Sequence, residues 1–247
     1  MNQATPETPV VEEAHRATRR RVASGALIAG PGVFFLAEFI AAAAWTDPPY
    51  SYTYHYISDL GVHGPVEALD QYMYSPLAWV MNTGFFLFGF TVLAGIVMLQ
   101  GLPGWRRRTA LVLGGFVALG SALLAFNPGD GQETGVDYHG LGALASIVGG
   151  NALVILLGRQ GRLIGIAQAP GRAMVVLGTF GLVSMVAFMA VAGSGANVLV
   201  GLVERCAVYP LLIGLMCAGM SIWHPTRLKA LLERGDAPRH APLADLH

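Results

Sequence analysis

Apolar residues run along this chain in long unbroken blocks, not in strict alternation and not as narrow helical stripes. Six blocks stand out: Val22–Trp45, Pro76–Leu99, Thr109–Phe126, His139–Leu157, Ala173–Ala192 and Val198–Ile222. A hydrocarbon core about 30 Å thick takes roughly 20 residues of helix, so each block is long enough, or nearly so, to cross a bilayer. The third is short and the sixth is interrupted by Glu204-Arg205. Apolar residues cover every side of these helices, as in a membrane span rather than a soluble amphipathic helix. The pattern predicts an all-α, polytopic membrane helix bundle with six transmembrane helices.

Composition agrees. Hydrophobic residues make up 54% of the 247 and charged residues only 12%, against about 25% charged in a soluble domain. That excludes a disordered chain, a nucleic-acid binder and an ordinary cytosolic enzyme. The 15 basic and 15 acidic residues cancel, but they are segregated in space. Arg16, Arg19, Arg20 and Arg21 precede the first span, and Arg106, Arg107 and Arg108 separate the second from the third. Arg159, Arg162 and Arg172 flank the loop after the fourth, and Arg227, Lys229, Arg234 and Arg239 follow the sixth. Loops 46–75, 127–138 and 193–197 hold no Lys or Arg. Positive charge stays on the cytoplasmic side, so the expected protein lies in the cell membrane with both termini cytoplasmic.

Three regions follow: a mobile basic tail over 1–21, the six-helix domain over 22–223, and a cytoplasmic tail over 224–247. In that last tail, Leu228, Leu231 and Leu232 sit among basic residues at helical spacing, as in a short helix lying on an anionic leaflet. The first block is longer than a signal-peptide core and begins late, which favours an uncleaved helix. Cys206 and Cys217 lie about 16 Å apart along one helix and cannot bridge each other. Gly142, Ser146 and Gly150 would let another helix approach closely, within the chain or from a second one.

Depth sorts the polar residues. Glu38 lies seven residues inside Trp45, Asn82 six inside Pro76, Ser121 five inside Phe126 and Ser146 seven inside His139. Glu204 and Arg205 lie six and seven inside Val198. All fall in one layer roughly 8–11 Å below the outer surface, while the inner half offers little beyond Ser24. Ionisable groups within a bilayer are costly and face a protein interior or a wet cavity. Two readings follow: an outward-facing polar cavity, or a structural Glu38–Arg205 pair with Asn82 as an interhelical hydrogen-bond partner. Glu204 and Arg205 are adjacent and so point about 100° apart. One carboxylate therefore needs protonation, a ligand or a cation.

Above that layer, loop 46–75 carries Tyr50, Tyr52, Tyr54 and Tyr56 in alternation with polar residues, which suggests an extended segment or an interfacial aromatic belt. Ser58-Asp59 before Gly61 suggests a turn, Pro128-Gly129-Asp130-Gly131 a tight turn, and Asp137 a cap on the fourth span. His55, Asp59, Asp137 and His139 are candidate ligands for zinc or a similar divalent ion if the fold gathers them.

Ile57-Ser58-Asp59-Leu60-Gly61, Asn127-Pro128-Gly129-Asp130-Gly131 before His139-Gly140, and Gly201-Leu202-Val203-Glu204-Arg205 occur in this order across residues 22–223. In these motifs and their layout the chain resembles the domain-of-unknown-function 998 family of small prokaryotic membrane proteins. The resemblance implies a six-helix bundle without an assigned reaction. It marks Ser58, Asp59, Asn127, Asp130, His139, Glu204 and Arg205 as positions of interest. Intramembrane zinc hydrolases of the alkaline ceramidase and progestin-receptor-like group are a more distant comparison. The chain departs from them: Glu204-Arg205 stands where their last helix carries a His-x-x-x-His pair, and His224 sits at the opposite end.

Three functional expectations result. The first is binding of a lipid or other amphiphile. Arg205 would contact an anionic group, Glu38 and Glu204 would hold Arg205 or a cation, and Asn82, Ser58, Asp59, Asn127 and Asp130 would complete the site. The second is a membrane-embedded enzyme, such as a metal-dependent hydrolase acting on a lipid-like substrate, with His139, Asp59 or Glu204 as catalytic groups. The third is a proton- or cation-coupled transporter using Glu38 and Glu204, which the scarcity of polar residues in the inner half disfavours. Membrane lipids are the expected partners and nucleic acid is not. Self-association or a place in a larger membrane assembly stays open.

Overall fold

The computed structural model describes residues 9–68, 71–131, 135–195 and 199–223. The six blocks become six long helices: α1 Pro9–Ala44, α2 Ala78–Met98, α3 Gly104–Phe126, α4 Tyr138–Arg159, α6 Gln168–Ser194 and α7 Val200–Trp223. A four-residue helix, α5 Gly161–Ile164, lies in the α4–α6 connection. All six are long and apolar enough to cross a membrane. The bundle therefore has a basic end, with the α2–α3 and α4–α6 connections, and a loop end, with the other three.

Hydropathy marks the lipid-embedded part of a helix and not its ends, and the differences from expectation have that cause. α1 begins at Pro9, inside the segment expected to be a tail, and Arg16 pairs with Glu12 one turn away. α3 begins five residues early, so Arg106–Arg108 form its first turns; arginine is a good helix former. α7 runs unbroken through Glu204-Arg205, both of which are buried. The suggested amphipathic helix near Leu228 lies outside the described residues.

The packing is a ring of five helices with a sixth outside it. α1 packs on α2 and α7, α2 on α3, α3 on α4, and α4 on α7, while α6 lies mainly across α4 and α7. Small residues set these distances. A Cβ on Gly142 would stand 2.8 Å from the Gly120 carbonyl oxygen of α3, and one on Gly150 would stand 3.1 Å from Leu211 of α7. The close approach read from Gly142, Ser146 and Gly150 is thus between helices of one chain, and Ser121 and Ser146 share a hydrogen bond of 3.2 Å there. Asn151, fully buried, donates to the Ile147 carbonyl of its own helix and across to the Ala207 carbonyl of α7, both at 2.9 Å. Ser24 donates to the Gly219 carbonyl at 2.6 Å and ties α1 to α7. Cys206 and Cys217 are free thiols.

The long connection between α1 and α2 is not a strand. It turns at Thr46–Pro49 and again over Ser51–His55, then forms one turn of 3-10 helix over Ser58–Gly61. A small hairpin follows, β1 Val66–Ala68 against β2 Gln71–Met73, the one paired-strand element among the described residues that the all-α reading lacks. Tyr56, Ile57, Asp59, Leu60, Gly61 and Val62 are all buried. The segment folds back into the loop end of the bundle and closes the ring there.

Candidate functional site

The folded-back segment has little regular structure, so its buried amides and carbonyls need partners. α7 supplies most of them. The Arg205 guanidinium donates through Nη1 to the carbonyls of Tyr52 at 2.8 Å, His55 at 3.2 Å and Gly201 at 3.0 Å. Nη2 donates to the Tyr50 hydroxyl at 2.6 Å, and that hydroxyl donates on to the Tyr56 carbonyl at 2.9 Å. Nε and Nη2 both reach Glu38 Oε1, at 3.1 and 2.9 Å. The guanidinium carbon also lies 4.8 Å from the Tyr52 ring centroid and 5.7 Å from that of Tyr50. Leu202 N–H, at the start of α7, donates to the Thr53 carbonyl at 3.2 Å.

Glu204 meets the opposite need: its Oε2 accepts the Ile57 N–H at 2.5 Å. Asn82 Nδ2 donates to the Gly61 carbonyl at 2.9 Å, and Asp59 Oδ2 accepts the Tyr56 N–H at 2.8 Å. Two glycines make the docking possible. A Cβ on Gly201 would collide with the His55 carbonyl, and one on Gly61 with Asn82 Oδ1.

The Glu38–Arg205 pair expected from depth is therefore present, with Glu38 fully buried and Arg205 5% exposed. Tyr209, one turn beyond Arg205, adds a hydroxyl donor to Glu38 Oε1 at 2.9 Å. Arg205 spends all of its donors on protein acceptors, so it offers no free N–H to an anionic ligand. The neighbouring acid accepts a backbone amide, an alternative to the ligand, cation or protonation anticipated for it.

The other expected residues go elsewhere. His55 Nδ1 accepts the Ser51 N–H at 2.9 Å, and its ring stacks on Trp45 and Tyr50 with centroids 5.0 and 5.3 Å apart. Asp137 caps α4, accepting the Gly140 N–H at 2.6 Å. His139 Nδ1 lies 2.7 Å from the Asn127 carbonyl oxygen and so carries the proton that it donates there. Asp130 belongs to the Pro128–Gly131 turn, where its N–H donates to the Pro128 carbonyl at 2.8 Å. His55 and Asp59 thus lie in the folded-back segment, and Asp137 and His139 at the α4 start with Asn127 and Asp130. Among the described residues no group of three or more His, Cys, Asp or Glu side chains is disposed to hold a metal.

Beneath the segment, at the centre of the ring, lies a cavity with about 30 Å³ open to the centre of a water molecule, room for about two waters. Phe34, Phe85, Phe88, Leu124, Ile147, Val208 and Leu211 give it apolar walls, and Glu204, Ser58 and Ser146 are its polar members. A family model described as "Protein of unknown function (DUF998)" matches residues 28–221. The chain belongs to that family. The match spans the helical ring, the folded-back segment and the cavity, but not the exposed start of α1. No curated protein and no solved structure matches this DUF998 chain.

Sequence reasoning missed the half-buried Tyr209 and Tyr50 and the buried Asn151 as polar anchors. Tyr209 had a signal, because it follows Arg205 by four residues and so shares its helix face. Asn151 had one too, as an amide inside an apolar span. Tyr50 had none.

Electrostatics set the segment's response to pH. Burial, reinforced by the Glu204 carboxylate, holds the Asp59 carboxyl well above the usual carboxylate range, against the pull of the Tyr56 N–H and Arg205. Burial, followed by the Arg205 charge, pushes the His55 imidazole below its ordinary value. Burial, then Glu204 and Asp59, pushes the Tyr56 phenol up to about 12. Asp59 thus binds its proton more tightly in the folded chain. Its contribution to stability is complete below the unfolded value of about 4 and is lost as pH rises through the folded value. Asp59→Asn should make the melting temperature in detergent fall less steeply with rising pH than in the parent; an identical slope would refute this assignment. Arg205→Ala should cost about 3–5 kcal/mol by stranding the Glu38 charge. Adding Glu38→Gln should restore part of it, as measured by thermal unfolding and by protease cutting between residues 50 and 62. An undiminished melting temperature in Arg205→Ala would show that the pair holds nothing together.

Proposed function

We propose that this DUF998 chain binds a membrane amphiphile in the central cavity, with the polar end against Glu204, Ser58 and Ser146 and the apolar part along the phenylalanine-lined wall. One observation carries the reading: a carboxylate and two hydroxyls line an otherwise apolar cavity at the centre of the bundle. Ligand sites commonly have that make-up, mostly apolar with a few convergent polar groups. In its closed form the cavity accepts only water-sized groups. Binding therefore requires Phe85, Phe88 and Ile147, which line the cavity, to turn aside. The folded-back segment roofs the site, so an amphiphile enters from the side rather than through the loop end. Ala143, on the cavity wall, gives a test that leaves every polar group in place. Ala143→Leu should cut the amphiphile retained through purification about tenfold or more, the equivalent of the roughly 1–3 kcal/mol cost of overpacking. Native mass spectrometry reads this directly, and a folded variant that retains as much as the parent would overturn the reading.

The same proposal places the basic end on the cytoplasmic side of the cell membrane, supported by the arginines gathered there. An impermeant maleimide applied to intact cells should label Val136→Cys and not Arg108→Cys, both exposed positions. The opposite labelling would invert the topology.

A further inference from the structure

The other end of the bundle holds a second concavity, unrelated to the central cavity. It offers about 790 Å³ on the same measure, within the roughly 300–1,000 Å³ of small-molecule sites. Arg16, Arg20 and Arg21 from α1 line it together with Arg162 from α5, facing a single acid, Glu13. An excess of arginine at this end follows from topology alone. Topology does not explain why arginines from two elements, about 140 residues apart in sequence, surround one hollow. Arg16 is already engaged by Glu12. Arg20 Nε donates to the Ile222 carbonyl at the end of α7, 3.2 Å away, which fixes its guanidinium at the wall. Its buried Nη2 has no partner among the described residues. Arg21 and Arg162 are exposed. Ile164 and Ile222 are apolar members of the lining, and half-exposed Trp223 stands at its edge. An aromatic ring of this kind suits the level of lipid headgroups.

We infer that this basic cavity is a binding site for a phosphate-bearing anion, built to take the headgroup of an anionic phospholipid. Guanidinium forks pair with phosphate oxygens through two hydrogen bonds at once. Basic pockets between helices at the cytoplasmic face suit such headgroups. The apolar lining would receive the start of the acyl chains, which a free phosphate would leave uncovered.

The test titrates delipidated protein in mild detergent with phosphatidylglycerol or phosphatidylcholine and reads adducts by native mass spectrometry. Phosphatidylglycerol should bind preferentially. In Arg20→Gln/Arg162→Gln its affinity should fall roughly thirtyfold, at about fivefold per basic residue near the surface. Arg108→Gln/Arg172→Gln removes the same charge from the same end outside the cavity and should leave the affinity within about twofold, the scatter expected of surface changes. Competition by millimolar inorganic phosphate would identify a soluble phosphate compound as the ligand; its failure to compete would identify the lipid. Equal losses in both double variants, or no preference for phosphatidylglycerol, would overturn the inference. Ala143→Leu, which fills the central cavity, should leave this binding intact, so the two sites succeed or fail separately. Should Arg20→Gln/Arg162→Gln lose its monodisperse elution, Arg162→Gln alone, at an exposed position, carries the test with a roughly fivefold loss.

Discussion

A stretch of irregular backbone inside the end of an apolar bundle carries amides and carbonyls that the bundle cannot satisfy with secondary structure, and the rest of the loop end is arranged around that demand. Arg205 takes the carbonyls, Glu204 takes an amide, and the two can do so from adjacent positions because neighbours on a helix point about 100° apart. The guanidinium is tolerated at this depth only because Glu38 on α1, itself held by the Tyr209 hydroxyl of α7, neutralises and hydrogen-bonds it. What a hydropathy plot displays as a defect in the last span is the fixture that fastens the segment to the helices.

The rest of the architecture follows from that fixture. With the segment seated, five helices close a ring whose loop end is plugged by Ile57–Gly61, and the space left below the plug is small and mostly apolar. α6 is free to lie outside the ring, where it covers α4 and α7 through close glycine contacts such as Gly158 with Gly171. At the opposite end no plug exists among the described residues. There the α2–α3 connection and α5 stand back from the extended start of α1 and leave an open basic hollow. The two ends differ in kind: one is sealed by hydrogen bonds, the other is left concave and charged.

The spans were readable because burial in lipid imposes a length and a composition that few other environments demand, and the Glu38–Arg205 pair was readable by counting turns from the span ends. The destination of the Tyr50–Val62 segment was not. Its anchors are carbonyl oxygens of Tyr52, Thr53 and His55, and a carbonyl is the same at every position in a sequence. For the same reason Arg205 looked like a receptor for an outside anion, when its acceptors lay on the chain itself. His55, Asp59, Asp137 and His139 looked like a set because they share a side of the membrane. Local geometry dispersed them: stacking claimed His55, a helix cap claimed Asp137, and a turn carbonyl claimed His139.

Gly201 adds a temporal dimension. The collar that it allows between α7 and the His55 carbonyl joins residues about 150 positions apart. A ribosome releases residues 50–62 long before α7 exists, so for most of synthesis the segment has no guanidinium or carboxylate to receive it. Until then its unpaired backbone groups must stay in water at the membrane surface, and the nascent five-span intermediate has an open end. Insertion of the final helix is thus the event that closes the protein. A chain terminated before α7 would present the quality-control machinery with an unsealed bundle, even though five of its six spans were correctly placed.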